Sequence, residues 1–435
     1  MSLSNGKVPD EIARVPEDVT GQPRQLVVGK LSLRQTFSAL RHRNFRLFFS
    51  GQLVSLIGTW LQNTAQGWLV YEMTHSAHML GVVTAVGTAP MLFFSIWGGS
   101  MADRHSKRNI VLWTQTSMMI LALTFALLVW SRHITIWEIL VVAGLRGLTM
   151  AFDMPARQAF MVEMTSREDL MNAISLNSSM VNGARVVGPS IAGFLIARVG
   201  MAMCFFLDGL SYLAVIAGLL MMRLPKFVKP LRTGSARAHV LEGFSYVWKN
   251  RRMKTLLILF SIVGVFGWSY SVLMPAFAKD VLKTGAGGFG ALLSANGLGA
   301  LLGALTVASV GHRVSRRVLV FGGLWIFSAM LFLLAFTDNF YLALVLLAIG
   351  GWGMLLFFST VNTLLQMDAS DEMRGRVMGI WALIFGGMMP VGGLEAGLLS
   401  DWFGVRWTVA IGGMVCALAA LVTWAIVKGR RQNEE

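Results

Sequence analysis

The sequence predicts an all-α integral membrane protein with twelve transmembrane helices in two pseudo-symmetric six-helix halves, and three observations carry that reading. Of its 435 residues 55% are hydrophobic and 14% charged, too little polar surface to cover a soluble globule. Apolar runs of about 20 residues, the length that crosses a hydrocarbon core, recur at 45–71, 79–101, 110–131, 137–157, 173–198, 202–222, 254–278, 288–310, 318–337, 340–366, 377–399 and 407–427. Basic residues fall between them unevenly: of 37 Lys and Arg, thirty lie on one side of such a chain, five on the other, and Arg146 and Arg185 inside spans. A soluble helical core does not account for twelve runs in series, because no polar faces remain to pack behind.

The charge asymmetry is the positive-inside bias, and it places both termini and the central linker in the cytoplasm. It also answers the nucleic-acid reading of a +15 net charge, since the charge follows topology. The first forty residues are polar and hold no short apolar h-region with a cleavage site, so the first span is expected to be retained. The expected organisation is a cytoplasmic arm 1–44, a first half 45–222, a linker 223–253 with Pro225, Pro230 and "RTGSARA", a second half 254–427 and a tail 428–435. Cys204 and Cys416 fall inside spans and point to neither a disulfide nor a metal framework.

Two offsets relate the halves. At 209, Gly81, Arg104, Ser106, Lys107 and Arg108 fall on Gly290, Arg313, Ser315, Arg316 and Arg317; at 204, Glu168, Gly183, Gly188, Gly193 and Gly200 fall on Glu372, Gly387, Gly392, Gly397 and Gly404. Six-helix halves related by an axis along the membrane normal are a transporter design, in which rocking about a midplane site alternates access.

The turn between the second and third spans reads "GGSMADRHSKRN". Gly99 is expected to let the second span approach its neighbour closely. Gly99, Asp103, Arg104, Lys107 and Arg108 form a candidate gating motif; its basic residues also fit topology anchors, whereas Asp103 does not, and its carboxylate can pair with cations or a helix N-terminus and latch the cytoplasmic side. The aligned position in the second half is His312. In the fifth span, "GARVVGPSIAGF" combines Ala184, Gly188, Pro189, Ala192 and Gly193, a kinked helix of small residues against which a partner can slide.

These patterns resemble the major facilitator superfamily. Gly99, Ala102, Asp103 and Arg104 match its loop Gly-x-Leu-Ala-Asp-Arg-x-Gly-Arg-Lys, with Met101 and Ser106 replacing Leu and Gly and Lys107-Arg108 inverting Arg-Lys. The fifth span is similar to the Gly-x-x-x-Gly-Pro-x-x-Gly-Gly of the drug:proton antiporter branch, with Ala at two Gly places, which implies efflux. "FDMPARQAFMVEMTSREDLMNAISLNSS" and "GQLVSLIGTWLQNTAQGWLVYEMTHSA" resemble the enterobactin-exporter and macrolide-efflux group, and the similarity runs from Leu33 to about Val427. The resemblance implies a monomer in the inner (plasma) membrane that exports a siderophore-, macrolide- or drug-like amphipathic molecule in exchange for protons, through a cavity lined by spans 1, 4, 7 and 10.

Ionisable groups inside spans are costly unless paired or wet, so mechanism is sought there. Arg146 matches the arginine of the family's fourth helix, with Met150 where a glycine is expected. Asp153 and Arg157 share its face and fit either an ion pair or a proton site. Arg185, Asp208 and Glu395 complete the set, and Asp208, Glu395 and then Asp153 are the expected proton carriers. For the cavity, span 1 offers Gln52, Gln62 and Gln66, span 7 Trp268 and Tyr270, and span 10 Trp352, Phe357, Phe358 and Asn362; aromatics with a few amides suit amphipathic ligands, and 27 methionines let such a wall repack. There is no phosphate-cradling glycine loop and no His/Cys cluster at ligand spacing, so neither an enzyme, a cofactor nor a metal is expected. A passive facilitator or importer is the alternative function.

Overall fold

The computed structural model describes residues 37–166, 168–224, 236–311 and 313–432. Most of the N-terminal arm, the linker stretch with Pro225 and Pro230, His312 and the last three residues lie outside them. Among the described residues the chain is almost entirely helical and has no strand. Ten helical segments among the described residues are long and apolar enough to cross a bilayer. One of these, Asp371–Lys428, holds two helices that meet at Gly404, whose φ of 79° only glycine adopts without strain. The first helix, Arg43–Thr74, is diluted by Gln52, Gln62, Asn63 and Gln66 and falls below that hydropathy, yet packs as a span; counting it and dividing at Gly404 gives twelve.

They are α1 (Arg43–Thr74), α2 (Ala77–Arg104), α3 (Lys107–Trp130), α4 (Ile136–Met164), α5 (Leu170–Val199), α6 (Met201–Met221), α7 (Arg251–Val281), α8 (Ala286–Val310), α9 (Arg316–Ala335), α10 (Phe340–Asp368), α11 (371–403) and α12 (405–432). A further helix, Ala236–Lys249, precedes α7. Local chemistry sets the ends. Thr135 and Glu138 form a reciprocal capping box on α4, and Ser76 and Asn339 accept from Met79 N and Leu342 N at the starts of α2 and α10. Gly200, at φ 92°, turns α5 into α6 as Gly404 turns α11 into α12.

The repeated glycines are where the halves meet. A Cβ on Gly81 of α2 would stand 2.2 Å from the Gly393 carbonyl and 3.1 Å from Gly397 Cα on α11. A Cβ on Gly290 of α8 would stand 2.3 Å from the Pro189 carbonyl and 3.1 Å from Gly193 on α5. Gly290 is the repeat of Gly81, and Gly397 of Gly193. The two contacts are therefore one packing motif used twice, with backbones close enough that only glycine fits.

The ends of the bundle differ. At the end where α1 enters and α12 leaves, here the basic end, the described ties join neighbours within a half: Lys107 to Glu163 at 2.5 Å, Arg252 to Asp368 at 3.1 Å, and Arg376 with Glu242. At the far end Arg406 pairs with Asp338 within the second half, and further ties cross between halves. Tyr71 donates to Asp280, His78 lies 3.1 Å from Asp401, and Trp68 stacks on Phe289 with ring centroids 5.7 Å apart under the Lys279 ammonium.

Candidate translocation site

One polar chain joins three helices of the first half. Asp208 on α6 is fully buried against α1, where a Cβ on Gly58 would fall 2.8 Å from its Oδ1; a larger residue at 58 would expel the carboxyl. With its amide set to satisfy both neighbours, Gln62 on α1 donates to Asp208 Oδ2 and accepts from Arg146 Nη1 and Nε on α4 at 2.9 and 3.2 Å. Arg146 also approaches Gln66 Oε1 and Asn63 Oδ1 at 3.4 and 3.5 Å. Among the described residues Asp208 Oδ1 has no hydrogen-bond partner. The chain thus runs from exposed Asn63 to a sealed carboxyl with spare acceptor capacity.

The second arginine is placed otherwise. Arg185 on α5 donates to Asn296 Oδ1 on α8 at 2.9 Å, and its guanidinium sits 6.0 Å from the Trp60 ring centroid of α1 and 5.9 Å from that of Trp268 on α7. One residue of the first half is thereby held by two helices of the second. Among the described residues no carboxylate pairs with it, and the two indoles supply the cation–π contacts instead. Trp268 follows a π-helical turn at Val263–Gly267, a register break that swings it off the regular helical stripe. It faces Phe358 and Phe385 at 6.2 and 6.5 Å, and Phe260 stacks on Trp381 at 3.6 Å, extending an aromatic wall along the second half.

Asp153 stands apart from both. Buried on α4, it accepts from Thr114 and Gln115 at 2.7 and 3.0 Å and pairs with Arg157 at 2.6 Å, a carboxylate fixed in place by three partners. Glu395 on α11 is the opposite case: both its oxygens are buried, with no hydrogen-bond partner among the described residues.

Several sequence expectations change at this resolution of detail. The close approach assigned to Gly99 belongs to Gly98, where a Cβ would stand 2.2 Å from the Ala151 carbonyl; Gly99 has nothing within 4 Å. Phe357 is fully buried in the second-half core, so it is its neighbour Phe358 that meets the aromatic wall. Gln52 and Tyr270 are buried too, and Trp352 is committed to Thr306 on α8 by a 3.0 Å hydrogen bond. Gln66, Trp268 and Asn362 remain partly exposed. In the fifth-helix motif, Ala184 and Pro189 are buried, Gly188 faces Trp60 of α1 and Gly193 faces α8. Of the turn motif, Asp103 and Arg104 are exposed, while Arg108 Nη2 caps α6 at the Leu220 carbonyl, 3.3 Å away. Sequence reasoning passed over Trp60 and Asn296; the signal for Asn296 was a lone amide in the apolar run "LLSANGLGALL".

Twelve spans in two glycine-matched halves, with ionisable and aromatic groups at their junction, define a membrane transporter of the major facilitator fold. A profile of the transmembrane secretion effector family matches residues 34–434, and the chain belongs to that family. It is 25% identical to the staphyloferrin A transporter of Staphylococcus aureus over 88% of this chain and 96% of that one, and 27% identical to the multidrug efflux pump Tap of Mycolicibacterium fortuitum over 83% and 90%. Macrolide efflux protein A of Streptococcus pyogenes is 22% identical over 87% and 96%. Among solved structures, a bacterial homologue of the human lysosomal transporter Spinster superposes with a TM-score of 0.71 at 14% identity, covering 91% of this chain and 97% of that one. The nucleoside transporter NupG gives 0.70 at 15% identity over 89% and 99%.

Proposed function

We propose that this protein is a secondary active exporter that moves a small amphipathic molecule, siderophore- or drug-like, out of the cytoplasm by alternating access in exchange for protons. The relatives named for siderophore transport, multidrug efflux and macrolide efflux support the direction and the substrate class. The observation that carries the mechanism is the Arg146–Gln62–Asp208 chain. A proton arriving on Asp208 turns an acceptor-only group into one that also donates and removes the charge that answers Arg146. The arginine is then free to engage a polar group of the substrate, and the α1–α4–α6 packing shifts with it. Glu395 serves as the second proton site and Asp153 as a fixed ion pair.

In this reading the basic end is cytoplasmic, both termini lie there, the membrane is the inner membrane, and the described state is closed outward and open inward. Asp103 is the latch of the cytoplasmic gate. A monomer suffices, because both halves of the path lie in one chain. Arg185, framed by indoles without a carboxylate, favours a substrate that brings anionic or acceptor groups to an aromatic wall.

The test uses everted vesicles with ethidium as a cationic probe and carboxyfluorescein as an anionic one. Energised accumulation of either that a protonophore collapses supports the exporter. Equilibration that ignores the protonophore would instead establish the passive facilitator. Asp103→Asn is expected to cut flux while leaving the amount of folded protein in the membrane unchanged.

A further inference from the structure

A groove of about 440 Å³ opens between α9 and α12 on the outer flank of the second half. Phe321, Trp325 and Trp424 line it, and Gly322 leaves it open: a Cβ there would meet nothing within 4 Å. Arg317, in the first turn of α9, and Lys428, near the end of α12, line the same groove, so both cations stand at its basic end. Lys428 Nζ lies 5.1 Å over the Trp424 ring, and Arg317 has neither an ion pair nor a hydrogen bond among the described residues.

The first half supplies an internal control. The 209 offset sets Arg317 on Arg108 and Gly322 on Trp113, and the 204 offset sets Trp424 on Leu220. In the first half Arg108 spans the gap and donates to the Leu220 carbonyl, tying α3 to α6, and position 113 carries an indole. In the second half the arginine has no hydrogen bond or ion pair among the described residues, and glycine stands where the indole was. The groove is a departure from the repeat: glycine for indole at position 322, with an arginine lacking those partners, leaves an apolar slot ending in positive charge.

We propose that this groove holds one anionic phospholipid of the leaflet at the basic end, an acyl chain along Gly322 between the aromatic side chains and the phosphate between Arg317 and Lys428. The cations sit where the helices leave the hydrocarbon, the level of the headgroups, and basic pockets between spans are suited to anionic headgroups. An inorganic anion would leave the apolar slot unused, and a zwitterionic lipid would bring its own cation to the two already there. An acyl chain lodged between α9 and α12 fixes the spacing of two helices that must move with the second half.

Native mass spectrometry of the purified full chain, titrated with dioleoyl-phosphatidylglycerol and with dioleoyl-phosphatidylcholine, reads the site directly. The wild type should retain one phosphatidylglycerol with roughly tenfold preference, given two cations near the headgroup plane. Arg317→Ala with Lys428→Ala should bring the two lipids to parity. Gly322→Trp, which copies the first half, should lose the tightly held lipid, with Gly322→Leu as a smaller plug should the indole impair folding; Arg132→Ala at the far end should change nothing. Equal retention of both lipids by the wild type, or an unchanged preference in the doubly substituted or plugged protein, overturns the proposal. So does phosphatidylglycerol binding that appears only after residues 2–35 are deleted, which would give the groove to the N-terminal arm.

Discussion

Asp153, Arg157, Arg146, Arg185 and Asp208 all stand in the first half. Carried through the 204 offset they become Phe357, Val361, Gly350, Met389 and Gly412. Every one of those charges is replaced by an apolar residue, and Phe357 and Val361 lie fully buried where their counterparts form an ion pair. The second half holds Glu395 and the aromatic wall of Trp268, Phe358, Phe385 and Trp381 instead. One helical frame thus solves the same packing problem twice, once with paired charge and once with hydrocarbon. The comparison teaches that the frame does not need the charges, so those kept in the first half without full pairing are the ones to examine for coupling.

The Asp153–Arg157 pair offers the largest test of that contrast. Asp153→Asn leaves the partly buried Arg157 unanswered and should cost about 3 kcal/mol of stability, the low end for breaking a buried pair, read as a lowered melting temperature in detergent. Asp153→Phe with Arg157→Val, which writes the second-half solution into the first, should recover most of that loss along with transport. A failure to recover would mean the pair does more than hold α4 to α3.

The glycine contacts come next. Gly290→Val and Gly81→Val each drive a side chain into a facing backbone and should cost about 1–3 kcal/mol by overpacking. Because both contacts join the halves at the far end, crosslinking there between cysteines at positions 78 and 401 should slow in both variants. Equal rates would place the tight packing elsewhere.

Trp268→Leu removes one of the two indoles flanking Arg185, a cation–π contact of about 1–2 kcal/mol when desolvated. Half-saturation for an anionic probe should shift by roughly tenfold with little change in protein stability. The smallest effect is expected at Gly99→Ala, where the added methyl meets open space and the helix gains up to about 1 kcal/mol; Gly98→Ala, against the Ala151 carbonyl, should be clearly worse in the same melting assay.

Lipid as solvent made the spans legible, because each must be predominantly apolar whatever it packs against, even α1 with its amides. The repeats were legible as spacing, but their meaning was not: that Gly81 meets Gly397 while Gly290 meets Gly193 requires helices far apart in sequence to lie side by side. The Asp208–Gln62–Arg146 chain was hidden for the same reason, its members coming from α6, α1 and α4. A finer ambiguity explains Gly98 against Gly99 and Phe357 against Phe358. Adjacent residues differ by about 100° around a helix, and hydropathy inside a membrane does not say which side faces a neighbour. The π-helical turn before Trp268 adds a register break for which the sequence carries no distinct signal.

Coupling through Asp208 is the central claim, and proteoliposomes with an imposed pH gradient address it most directly. Asp208→Asn should lose gradient-driven accumulation of the probe while retaining exchange of probe across the membrane without a gradient, which shows that the cycle still turns. Accumulation in Asp208→Asn equal to that of the wild type would contradict the account.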